Sequence, residues 1–146
     1  MKTQLLGALL AVTSFAVIAD HKGEEHGHSH ATKSAENAEL FIISPKDGEI
    51  VEKTFTVKFG LKGMKVVPAG VNEPNSGHHH LMIDKKTLPK AGMPMGKDVI
   101  HFGKGQKETT LTLEPGEHTL QLILGDMSHV PHEPMVVSKQ IKVIVK

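Results

Sequence analysis

Three histidines in a row, His78-His79-His80, are followed much later by a pair in the segment Gly125-Asp126-Met127-Ser128-His129-Val130-Pro131-His132. With a single His101 between them, these are the residues whose types suit metal binding. Neutral imidazole is the commonest protein ligand for metals, and thioether is the soft one. On a strand, residues two apart share a face, so His78 and His80 are expected to point together. Pro131 and Pro134 restrict the later segment, so His129 and His132 can be brought in at little ordering cost. The expected site is therefore His78, His80, His101, His129 and His132. His79 is the next candidate, Asp126 is placed to orient an imidazole from behind, and Met127 is a further donor nearby. Such an imidazole set suits copper first and zinc second. The structural alternative is a hydrated strand end with histidines capping a loop. Met93-Pro94-Met95 reads either as a thioether motif favouring Cu(I) or as two methionines filling gaps on a loop.

Composition narrows the other possibilities. The chain has 146 residues, 11 of them His and 7 Met, with no Cys, Trp or Tyr. The missing cysteines exclude disulfides, thiolate zinc sites, iron–sulfur clusters and cysteine nucleophiles. All 17 basic residues are Lys, so no guanidinium fork is present for phosphate or carboxylate. A formal net charge of +1, with only Phe among the aromatics, offers neither a field nor a stacking platform for nucleic acid. No Gly-x-Ser-x-Gly elbow or His-Glu-x-x-His helix is present, so no enzyme is expected. A mononuclear copper oxidoreductase stays open.

The N-terminus reads as an export signal over residues 1–19. Lys2 is its charged end, Leu5 to Ile18 its apolar stretch, and Ala19 its cleavage point. That stretch is short for a membrane span, so none is expected after cleavage. The expected location is the periplasm or the exterior. Residues 20–39 read as a disordered tail carrying His21, His26, His28 and His30 among Gly, Ser and Glu. That tail either wraps a divalent ion loosely or is a solvated linker.

The elements that must position the central histidines are strands. Apolar alternation and turn residues place them at 40–43, 54–59, 78–84, 98–102, 109–113, 118–124 and 138–145. Seven short strands over residues 40–146 predict an all-β fold, a single immunoglobulin-like antiparallel β-sandwich. Glu114-Pro115-Gly116-Glu117-His118-Thr119-Leu120 is similar to the immunoglobulin corner pattern, with His118 in the place of its tyrosine. His118 is expected to be buried, hydrogen-bonded to backbone and free of metal. The loops after the second and sixth strands share one end of such a sandwich, and the other histidines converge there.

Four segments together give the chain a resemblance to a family. They are Ser76-Gly77-His78-His79-His80-Leu81-Met82-Ile83-Asp84, Ile100-His101-Phe102-Gly103-Lys104-Gly105-Gln106, Pro115-Gly116-Glu117-His118-Thr119-Leu120-Gln121-Leu122, and Gly125-Asp126 with His129-Val130-Pro131-His132. Over about Phe41 to Val145 the chain resembles the small secreted domain of unknown function 4399. It departs at Met127, where the family often has a polar residue. The resemblance implies a fold and a set of special residues, and no activity. The expected function is an exported metal-binding protein, a copper carrier or buffer whose partners are the ion and a periplasmic protein. The alternative is an immunoglobulin-like module that grips a protein or small ligand without metal.

Overall fold

The computed structural model describes residues 31–146. The export signal and His21, His26, His28 and His30 lie outside the described residues. Nine strands form, and no helix is present among the described residues. They are β1 (Glu39–Ser44), β2 (Glu49–Val51), β3 (Thr54–Lys62), β4 (Lys65–Val66), β5 (Ser76–Ile83), β6 (Ile100–His101), β7 (Glu108–Thr112), β8 (Gly116–Gly125) and β9 (Ile141–Val145). One sheet has the order β1-β3-β7 and the other β2-β9-β8-β5-β4, with β6 also paired to β5. Two sheets packed over one core make the expected all-β sandwich.

The alternation works as the sequence predicts. Val57 and Phe59 of β3, Leu111 of β7, Leu81 of β5, Leu120, Leu122 and Leu124 of β8, and Val143 and Val145 of β9 fill the space between the sheets. Several details differ. Two short strands, β2 and β4, were not expected, and each pairs in parallel, with β9 and β5 respectively. The expected strand at 98–102 shrinks to Ile100–His101. The last strand begins at Ile141, and Ser138 instead pairs with Leu122 inside β8, its N–H donating to Leu122 O at 2.9 Å. Its Oγ accepts from Leu122 N–H at 2.8 Å.

Residues 31–39 are not a disordered tail. Ser34 N–H donates to Glu133 O and Glu133 N–H to Thr32 O. Thr32 Oγ1 donates to Asp126 Oδ2 at 2.8 Å. These bonds lash the segment to the β8–β9 connection. Long-range backbone partners of this kind do not show in composition.

Strand β5 sits differently from the others. Its residues from Ser76 to Met82 are all buried, so both of its faces are covered. One face meets the inter-sheet core. The other carries Met82 into a second cluster with Val99 and Ile123, against which Met95, Met135 and Val137 pack. The cover comes from the β5–β6 and β8–β9 connections, both of which pass over this outer face.

Candidate metal centre

Four imidazoles meet on that covered face. His78 and His80 project from β5 with the expected period of two. His101 lies on β6 directly across from His80 in the antiparallel pair. His129 comes from the β8–β9 connection, where the chain reverses sharply. Asp126 N–H donates to Val130 O, and His129 N–H donates to Asp126 O. His129 adopts the left-handed conformation, with φ 65°. The buried Asp126 carboxylate holds this turn, accepting from the N–H groups of Ser128 at 2.9 Å and Val130 at 3.0 Å.

The rings are nearly equidistant. Centroid separations are 4.7 Å for His78–His80, 4.9 Å for His78–His101 and 5.0 Å for His78–His129. The remaining three are 5.0 Å for His80–His101, 6.0 Å for His80–His129 and 4.4 Å for His101–His129. One nitrogen from each ring lies within 4.8 Å of the others. With metal–nitrogen bonds of about 2.0–2.1 Å, four imidazoles at tetrahedral corners have centroids about 5 Å apart. A square-planar set would instead stretch both diagonals to roughly 1.4 times the edge. Only one separation here is long, so the rings are spaced more nearly as the corners of a tetrahedron than of a square.

The protonation state suits ligation. Burial, helped by neighbouring imidazoles, pushes His78 down to about 4 and His80 down to about 3. His101 is also lowered, by burial first and His129 second. His78 Nε2 and His129 Nδ1 stand 3.0 Å apart. The buried Nδ1 atoms of His78 and His80 have no hydrogen-bond partner, and neither has Nε2 of His79 on the opposite face. Orphaned buried polar atoms are rare and costly, and the four-imidazole set fits a metal ion that would satisfy ring nitrogens.

Two glycines make room for the cluster. A Cβ on Gly125 would stand 2.5 Å from His80 Cε1 and 2.8 Å from Met95 Cε. A Cβ on Gly103 would run into the His101 ring. Neither glycine was singled out for this role from the sequence, since a glycine in a strand or turn gives no hint of which ring it admits. Met95, from the candidate thioether motif Met93-Pro94-Met95, is the methionine of that segment that reaches the cluster. Its N–H donates to His129 O at 2.9 Å, and its side chain joins His80, His101 and His129 around a cleft of about 290 Å³.

The other candidates sit elsewhere. His132 is buried but outside the cluster. Its Nε2 donates to Ser76 O at 3.0 Å, with Nδ1 3.4 Å from Leu124 O. The Asp126–Val130 turn presents His129 to the cluster, and three residues on His132 is spent on backbone carbonyls. His79 points to the opposite face of β5, as alternation requires. Its ring packs 5.1 Å from Phe59, and Nδ1 donates to Gln106 O at 3.1 Å. Burial pushes it down to about 4. Asp126 braces backbone and touches no imidazole, and Met127 is exposed. Met93 is exposed as well.

His118 is half-buried rather than fully buried. Nε2 donates to Glu114 O at 2.9 Å, as the corner pattern predicts, and Nδ1 donates to Asp84 Oδ2 at 2.7 Å. Both ring nitrogens face acceptors, which favours the imidazolium form. The Asp84 hydrogen bond holds it above its ordinary range.

Residues 57–146 match the family model described as Domain of unknown function (DUF4399). No curated protein matches the chain. Among solved structures, an endo-beta-1,4-mannanase from Thermotoga petrophila aligns at 19% identity and a TM-score of 0.44. That alignment covers 75% of this chain and 20% of the mannanase chain, so this chain spans about a fifth of that protein. Fibronectin(III)-like modules of Clostridium thermocellum CbhA align at 17% identity and a TM-score of 0.44, over 73% of this chain and 94% of theirs.

Proposed function

The chain belongs to the DUF4399 family, which is defined without an activity, and we propose that it is a metal-binding protein, a copper carrier or buffer rather than an enzyme. The observation that carries this reading is the near-tetrahedral set of four imidazoles, His78, His80, His101 and His129, on a covered sheet face. His78 and His80 hold the ion from the rigid strand. His129 closes on it from a braced turn. His101 stands exposed at the rim, where an incoming ligand reaches the ion first. A near-tetrahedral imidazole set fits zinc or Cu(I) better than Cu(II), and the Met95 thioether lining the same cleft favours copper of the two. The pattern Lys2, Leu5 to Ile18 and Ala19 supports export, which puts the protein in the periplasm or outside the cell.

The test uses the untagged full chain with His21, His26, His28 and His30 each replaced by Ala, titrated with Cu(I), Cu(II) and Zn(II). The expected result is one ion bound more tightly than about micromolar. Adding His78→Ala and His80→Ala abolishes that binding. If none of the three ions binds that tightly, the cluster is structural, and the fold serves as a module gripping a protein or small ligand.

A further inference from the structure

Three features of the cleft narrow the ion further. The first is sulfur. The Met95 methyl and His80 Cε1 both crowd the place where a Gly125 Cβ would stand, so the two side chains meet above Gly125. The backbone bond from Met95 N–H to His129 O holds the thioether on the side where His129 closes. Met95 is half-buried, whereas Met93, two residues earlier, is exposed. Of the two methionines of this loop, the one that meets His80 is thus the one the fold keeps in place.

The second feature is charge. The cleft is lined by His80, His101, His129, Met95, Val99, Gly96 and Lys97, with no carboxylate among them. Asp126 lies behind the His129 turn, with its oxygens committed to Thr32, Ser128 and Val130. The ligands are neutral and one buried carboxylate, Asp126, stands behind them, so the surroundings offset one positive charge rather than two, with the Lys97 ammonium at the wall. The cost of stripping an ion of water grows as the square of its charge, so a divalent ion pays about four times what a monovalent one does. The third feature is shape. Cu(II) prefers tetragonal ligands, and the ring separations are not those of a square.

Resting on the proposal that this cluster is a metal site, we infer that its cargo is Cu(I) and that Met95 supplies a thioether ligand beside the imidazoles. Soft sulfur selects the cuprous ion over zinc, and a neutral cleft selects a single positive charge over two.

The experiment measures Cu(I) and Zn(II) affinity by competition with chromophoric chelators, without oxygen, for the tail-substituted full chain and its Met95→Leu variant. Leucine keeps the volume and removes the sulfur. The expected result is that the parent prefers Cu(I). Met95→Leu then weakens Cu(I) by at least about tenfold and changes Zn(II) by less than about twofold. X-ray absorption at the copper edge shows a sulfur neighbour in the parent and none in the variant. Tighter binding of Zn(II) than Cu(I) by the parent overturns the inference and leaves the metal site standing. So do an absent sulfur signal and equal losses for both ions. Binding of neither ion overturns the metal site itself, and the inference with it.

Discussion

His129 and His132 are three residues apart and do different work. His129 turns its ring to the cluster, while His132 bonds to the carbonyl of Ser76. His129→Ala should therefore weaken zinc binding by at least about tenfold with a small change in melting temperature. His132→Ala should leave stoichiometry at one ion and cost roughly 1–3 kcal/mol, the penalty for an unsatisfied buried carbonyl. Calorimetric titration and thermal melts on the same two variants check both halves. Equal effects of the two on binding would contradict the separation. His118 belongs with His132. Its ring joins Asp84 to the Glu114 carbonyl, so His118→Ala should lower stability by about 1–2 kcal/mol without changing metal stoichiometry.

At the scale of elements, the outer face of β5 is what makes a site out of separate histidines. Period-two alternation alone places His78 and His80 together, and the same alternation puts His79 on the core side against Phe59. The pairing of His101 opposite His80 follows from β6 lying beside β5. The direction of His129 was not legible, because it depends on a left-handed residue inside a turn held by a distant Thr32–Asp126 contact. The role of Gly125, and the place of the Met95 thioether beside His80, were hidden for a like reason: they meet His80 from two different segments of the chain. Gly125→Ala tests this packing. The added methyl must displace the His80 ring or Met95, so metal affinity should drop by at least about tenfold while the strand persists. Unchanged affinity with an intact sheet by circular dichroism would show that the cluster does not depend on that close approach.

For the whole molecule, buried neutral histidines tie folding to pH. His78, His79 and His80 are held near 4, 4 and 3, against about 6.5 in an unfolded chain. Below about pH 6.5 the unfolded chain takes up protons that the folded chain refuses. The stability these residues contribute is thus present above that value, and it is lost as pH falls toward 4 and then 3. His118 has the opposite sign. Its raised value makes its contribution complete below about 6.5 and lost as pH rises through the raised value. With His101 also lowered, four histidines oppose one, so the metal-free protein should melt at progressively lower temperature from pH 7 down to pH 4.5. Thermal melts across that range check the sign, and a flat or rising melting temperature would contradict it. Zinc should raise the melting temperature at pH 7 and raise it less as protons compete for the imidazoles.

The all-β sandwich holds at this scale, with seven of its nine strands at expected places, because inter-sheet burial follows local alternation. The parallel β2–β9 and β4–β5 pairs and the lashed segment at 31–39 depend on long-range partners, and alternation does not encode those. The most direct measurement is anomalous scattering from crystals of the untagged protein loaded with zinc, a probe ion that keeps one oxidation state. The account predicts one strong peak on the outer face of β5, about 2.0–2.1 Å from a ring nitrogen of each of His78, His80, His101 and His129. A peak bound through His79 or His132 instead, or no peak at the four imidazoles, would contradict it.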